Sequence, residues 1–266
     1  MSDLLPAPYQ VRAFNSARES ENKIHDDGVA RRFGFTGGLV PGVDVYGYMA
    51  HQPVAHWGRA WLERGTAECR FASPVYDGAQ AMVSAQAGEQ RMTLAVQSGA
   101  ATCASGIAEL PLVAGPLPDV AAYQPASPPA TRPPASAESL AEGTWRGMTP
   151  LHVTGEVARA YLADLGETDP IYTEQGLLHP GMILRTCNWA LTHSVVLGPW
   201  IHVGSRVRHL AAGLVGETLS VRARVVANYQ HKGHSYVELD ALVVAGSRPL
   251  AQIIHTAIWL PRQLAS

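Results

Sequence analysis

His25 stands in the polar run SENKIHDDGVARRFGF, seventeen residues before Gly42 in the Pro-Gly turn of LVPGV. Imidazole titrates nearest to neutrality, so a histidine in a polar loop beside acidic residues is suited to moving protons. Its neighbours Asp26 and Asp27 are placed to cap and charge the start of a short helix over GVARRFGF. Asp44 falls in the first turn of the long apolar segment that follows Pro-Gly, where the helix dipole favours an acid. A second cluster lies far downstream: Glu167 and Asp169 in GETDPIY, then His179 directly before the Pro-Gly of LHPGM. A histidine there either caps the turn or acts on a ligand, and a loop carboxylate is either solvated or catalytic.

The other histidines do not group as metal ligands. His51 and His56 are five apart, which does not put two imidazoles on one helical face, and His193, His202 and His209 are scattered. No metal is expected. GFTGG lacks the Lys-Ser/Thr of a phosphate loop, so no nucleotide cofactor is expected either.

The elements around these residues occur twice. Gly42 and Gly181 are 139 residues apart, as are Trp61 and Trp200, and Gly65 and Gly204; Arg70 and Arg208, and Gly78 and Gly216, are 138 apart. An ordered series at near-constant offset indicates a tandem duplication. In each copy a Pro-Gly turn opens a helix long enough and apolar enough to be buried, VDVYGYMAHQPVAHWGRAWLE in one and MILRTCNWALTHSVV in the other. Runs of alternating polarity follow: AMVSAQAG, RMTLAVQSG and ATCASGIAELPL, then TLSVRARVVANY, HSYVELDALVVAG and PLAQIIHTAIWLP. A central helix wrapped by an antiparallel meander, present twice, is an α+β double hot-dog, with about twelve strands and two central helices. Proline and small residues dominate 114–143, which reads as a linker with little to bury between an N-terminal unit, 1–113, and a C-terminal unit, 144–266.

Composition bounds the rest. The chain has 266 residues, 47% hydrophobic and 16% charged, enough for one large or two small cores. With 20 basic and 22 acidic residues and no block of like charge, nucleic acid is not an expected partner. Cys69, Cys103 and Cys187 fit neither a disulfide framework nor a CxxC metal site, which points to a reducing cytoplasm. The N-terminus shows no basic region followed by an apolar run, and no window approaches a membrane span. No export or membrane signal is expected.

The segment SENKIHDDGVARRFGF…LVPG resembles the signature of the MaoC-like (R)-specific enoyl-CoA hydratases, a G-D-x-N-P-[IL]-H segment followed by a short helix and an A-H-G turn; GETDPIY and LHPGM resemble the same motifs in altered form. The resemblance covers nearly the whole chain outside the linker. It implies hydration or dehydration of an α,β-unsaturated or 3-hydroxy acyl thioester on CoA or a carrier, with an aspartate and a histidine sharing the water. An amide at the start of the central helix polarises the thioester carbonyl, and unpaired N–H groups at a helix N-terminus suit that role. By this resemblance His25 is the family histidine, Asn22 its Asn, and Gly42 and Val43 the binding turn. Ser20 stands where the catalytic Asp is expected, flanked by Glu19 and Glu21. In the second half Glu167 takes the Asp position and Asp169 the Asn position; Tyr172 replaces the histidine, nine residues before Gly181, and His179 and Gly181 form the turn.

Three arrangements follow. His25 works within its own half, with Ser20 or a neighbouring carboxylate; or His25 meets Glu167 or Asp169 from the other half; or His25 only pins its loop, and the pocket binds an acyl thioester without turnover. A hot-dog thioesterase is the competing enzyme, with Asp44 or Glu167 as its essential carboxylate. A homodimer of double units is compatible with any of these.

Overall fold

The computed structural model describes residues 7–262. Residues 1–6, where the stretch expected to lack an export signal begins, lie outside the described residues, as do residues 263–266. The first half contains β1 (Tyr9–Arg12), α1 (Asp27–Arg32), α2 (Gly42–Trp57), α3 (Arg59–Arg64), β2 (Thr66–Phe71), β3 (Gln80–Ala87), β4 (Arg91–Ser98) and β5 (Ala101–Glu109). The second contains β6 (Trp145–Arg146), β7 (Leu151–His152), α4 (Gly155–Leu165), α5 (Ile171–Glu174), α6 (Pro180–Thr192), β8 (Ile201–His209), β9 (Thr218–His231), β10 (His234–Ala245) and β11 (Arg248–Leu260).

The strands form one antiparallel sheet of eleven in the order β1-β3-β4-β5-β2-β8-β11-β10-β9-β6, with β7 also on β9. Alternation decides which face is buried: Met92, Leu94 and Val96 of β4 point inward while Arg91, Thr93 and Gln97 point out. The halves join at β2 and β8, paired from Thr66 with Arg208 to Arg70 with Gly204. Helices α2 and α6 pack on the sheet and on each other, sharing one hydrophobic core. Their crossing is close: a Cβ on Gly181 would lie 3.2 Å from Gly47 Cα.

The duplication is visible in the backbone. Leu39 bridges Tyr76 as Leu177 bridges Leu214. Val40 N–H donates to Val75 O as Leu178 N–H donates to Gly213 O. Gly78 and Gly216 both turn with positive φ, +72° and +93°, a conformation that disfavours a Cβ.

Several expectations need correcting. Eleven strands stand among the described residues rather than about twelve. The first long helix breaks at Gly58, whose φ is +60°, into α2 and α3. In the second half a four-residue helix, α5, precedes the Pro-Gly turn where the first half has α1. The 114–143 segment has only a three-residue 3₁₀ turn, Val120–Ala122, but it is not idle. Tyr123 is buried with its hydroxyl donating to Asp240 (2.9 Å) and accepting from Gln252 (2.7 Å), and Leu140 is fully buried. Isolated apolar anchors on an extended chain leave no periodicity to detect.

Candidate active site

The loop before α2 is built by local capping. Asn22 accepts from Ile24 N–H at the start of a 3₁₀ turn, Lys23–His25. Asp26 caps α1 by accepting from Val29 N–H (2.9 Å), and Asp27 accepts from Gly38 N–H (2.7 Å), tying α1 to the chain entering α2. The second half locks this loop. Asn22 Nδ2 donates to Trp200 O (3.0 Å), and Trp200 N–H donates to Asn22 Oδ1 (3.1 Å).

These bonds fix the histidine. His25 Nδ1 lies 2.6 Å from Leu39 O, which can only accept, so Nδ1 carries the proton. Nε2 then keeps its lone pair, 3.3 Å from Asn22 Nδ2 as donor. Burial lowers the His25 pKa, against the Leu39 contact, which raises it. His25 is thus a neutral imidazole with its basic nitrogen fixed.

Two cavities meet at this residue. One, about 440 Å³, has apolar walls that include Phe35, Leu39, Val45, Phe71 and Ile258. The other, about 300 Å³, is more polar and is lined by Ser16, Ser20, Glu21, Arg132 and Arg185. Asn22, His25, Pro41, Asn188 and Trp200 line both. At the mouth of α2, Pro41 O accepts from Asp44 and Val45, so the N–H groups of Gly42 and Val43 have no partner within the helix. Gly42 faces the larger cavity and Val43 the smaller.

Among the described residues no carboxylate reaches His25. Ser20, at the expected Asp position, lines the smaller cavity, and its hydroxyl donates weakly to Asn22 O (3.4 Å). Glu21 turns outward to Arg132 (2.8 Å). Asp44 is buried, its Oδ1 accepting from Arg185 (2.6 Å) and its Oδ2 from Ser16 (2.5 Å), and it lines neither cavity.

The residues singled out in the second half gather elsewhere. Glu167 Oε1 accepts from His51 Nδ1 and from the N–H groups of Thr168 and Asp169, each at 2.8 Å. His179 Nε2 lies 3.5 Å from Glu167 Oε2. Burial alone would raise the Glu167 pKa, but bonds from His179, His51 and the backbone outweigh it and hold it well below the ordinary carboxylate range. Asp169 accepts from Ile171 N–H (3.0 Å) at the start of α5. The Gly181 N–H, expected to face substrate, donates to His179 Nδ1 (3.1 Å). Leu177 N–H donates to Tyr172 O as Leu39 N–H donates to Ile24 O, so Tyr172 matches Ile24 rather than His25 and is buried like it. None of these residues lines either cavity around His25. A pairing of His25 with Glu167 or Asp169 is therefore not what the fold builds.

One cluster escaped the sequence reading altogether. His202 Nε2 lies 3.2 Å from Gly204 O and 2.9 Å from Ser205 Oγ, and Ser205 Oγ lies 3.1 Å from His255 Nδ1. All three side chains are buried, and burial pushes His255 down to about 3. His202 lines the larger cavity, with its Nδ1 2.9 Å from where a Cβ on Gly42 would stand. A register shift in β8, where Thr256 pairs with Gly204 and Ala257 with His202, skips Val203 and turns both His202 and Ser205 inward, and pairing with β11 brings His255 to them.

No family model matches the chain, and no curated protein matches it. Among solved structures, one assigned as a MaoC domain dehydratase from Chloroflexus aurantiacus is 10% identical, with a TM-score of 0.64 over 96% of this chain and 93% of that one. Rv0216 from Mycobacterium tuberculosis, described as a double hot-dog, is 15% identical, with a TM-score of 0.59 over 94% and 93%. One assigned as an oleoyl thioesterase from Lactobacillus plantarum is 10% identical, with a TM-score of 0.52 over 97% and 96%. At such identities the likeness speaks for the fold alone. Among the described residues no helix is long and apolar enough to cross a membrane. The chain has the double hot-dog fold found in MaoC-like dehydratases, and two of its cavities meet at His25.

Proposed function

We propose that this protein adds water to, or removes it from, the α,β double bond of an acyl thioester carried on CoA or a carrier. The observation that carries the reading is the fixed lone pair of His25 Nε2 at the junction of two cavities, beside the free N–H groups that open α2. In the hydration direction His25 Nε2 takes a proton from water as the oxygen bonds to C3. The π electrons move through C2 to the thioester oxygen, where the Gly42 and Val43 amides and the helix dipole stabilise the negative charge. C2 then takes the proton from His25, so water has added across the bond and the base is regenerated. With no carboxylate beside it among the described residues, one imidazole both removes and returns the proton.

The same base could direct water at the thioester carbon instead. Both carboxylates considered for that reaction, Asp44 and Glu167, are held in buried ion pairs or hydrogen bonds away from the cavities, which favours hydration. Loss of enoyl absorbance with crotonyl-CoA and with longer or branched enoyl-CoAs tests the reading. Loss without free thiol supports hydration, and release of free thiol in step with that loss would replace it with the thioesterase.

A further inference from the structure

Ten buried side-chain nitrogen and oxygen atoms among the described residues have no hydrogen-bond partner. Three of them, Asn188 Oδ1, Trp200 Nε1 and His202 Nδ1, are carried by residues that line the cavities around His25, and all three come from the second half. A buried polar group without a partner is costly, so a cluster of them in one wall points to a polar guest.

Asn188 and Trp200 are the more telling pair, because they line both cavities, as His25 itself does. Asn188 projects from α6, and Trp200 precedes β8, where both of its backbone polar groups are engaged by Asn22. The indole N–H can only donate, the amide oxygen can only accept, and His25 Nε2 in its fixed tautomer can only accept. One water molecule complements all three. It can donate one hydrogen to His25, displacing the long 3.3 Å contact from Asn22 Nδ2 at that lone pair, and the other to Asn188 while accepting from Trp200, which leaves one lone pair to attack carbon.

We propose that Asn188 Oδ1 and Trp200 Nε1 hold the water that His25 deprotonates and, in the reverse direction, the 3-hydroxyl that protonated His25 expels as water, taking the place of the carboxylate absent at Ser20. This rests on the hydratase reading above and adds no new bond change. The proton still passes from water to His25 and on to C2, and the second hydrogen stays on the oxygen, bonded to Asn188.

The test has two arms. In turnover, Asn188→Leu lowers kcat by roughly tenfold or more with little change in KM, the size expected for one lost hydrogen bond to the reacting oxygen. Its melting temperature stays the same or rises, because the amide oxygen has no partner to lose. Asn188→Asp, which restores an acceptor, recovers kcat and adds an acidic limb to the pH profile. The second arm needs no turnover. The non-reactive thioether analogue of 3-hydroxybutyryl-CoA binds wild type more tightly than that of butyryl-CoA, and Asn188→Leu and Trp200→Phe each erase the preference.

Equal kcat in Asn188→Leu overturns the proposal, as does a kcat loss that tracks a fall in melting temperature and is not rescued by Asn188→Asp. Equal binding of the two analogues by wild type overturns it too. If wild type hydrates no enoyl thioester, the hydratase reading fails by itself, and the binding arm still decides whether a hydroxyl-holding site exists.

Discussion

The two halves share a fold, a turn and a helix mouth, yet they have put the same place to opposite uses. Around Gly42 the mouth of α2 opens on two cavities and a neutral histidine. Around Gly181 the mouth of α6 is plugged: His179 takes the first amide, Tyr161 and Gly47 crowd the Cα, and Glu167 ties His51 of one half to His179 of the other. A like backbone, with Gly181 standing one place further into its helix than Gly42, is therefore no guide to activity. What distinguishes the halves is whether a side chain already satisfies the helix mouth.

The largest expected contrast is between the two histidines. His25→Ala should lower kcat/KM for an enoyl thioester by about 10²–10⁴-fold, the usual worth of a positioned acid or base, with little change in melting temperature. His179→Ala should do the reverse, lowering the melting temperature while kcat/KM per folded molecule holds. Comparable kinetic damage from both substitutions would erase the distinction between the halves.

Glu167→Ala comes next. It strips a buried cluster of its carboxylate, leaving His51 and two backbone N–H groups without their acceptor and His179 without the negative charge 3.5 Å from its Nε2. A loss of about 3 kcal/mol by denaturant unfolding is expected, within the range for breaking a buried pair. A loss below about 1 kcal/mol would mean that the cluster is not a stabilising element, since that is the scale of an ordinary exposed pair.

Alanine at the paired glycines sharpens the comparison. Gly181→Ala places a methyl 2.4 Å from Tyr161 Oη inside the helix crossing and should cost about 1–3 kcal/mol of stability, as overpacking does. Gly42→Ala meets the His202 ring at 2.9 Å and Phe71 at 3.2 Å on a cavity wall, so its effect should fall more on turnover than on unfolding. Unfolding and kinetics measured on both variants check this, and a larger stability loss at Gly42 would contradict it.

The smallest effects are in pH. The Glu167 pKa is depressed by folding, so its contribution is complete above the unfolded carboxylate range and is lost as pH falls toward the folded value. Wild type should therefore lose stability below about pH 4.5 more steeply than Glu167→Gln, which chemical denaturation across pH measures. His25 is shifted down from 6.5, and its neutral form is the base, so the acid limb of kcat/KM should lie below 6.5. An acid limb above that value would count against His25 as the base.

Much of the architecture was legible because its signals are local or periodic. The offset near 139 exposed the duplication, alternation marked six strands, and Asp26 announced its cap. The seam strands β2 and β8 were not marked as strands, although Gly65, Arg70, Gly204 and Arg208 within or beside them had carried the repeat. The site was less legible for a physical reason. Asn188, Trp200, His202 and Arg132 reach the cavities around His25 from more than a hundred residues away, and nothing in their own neighbourhoods marks them. Glu167 was noticed for its motif, but no linear signal shows that His51 and two amides already claim its carboxylate.

The amide of Asn22 has a last consequence. By pairing with both polar groups of Trp200, it acts as an extra peptide unit stitched onto the other half, and the same amide presents its hydrogen to His25 Nε2. The imidazole in one half is thus oriented by backbone belonging to the other. Two separate chains would have to find each other before that ring was set; a single chain keeps the partner at an effective concentration fixed by its own tether.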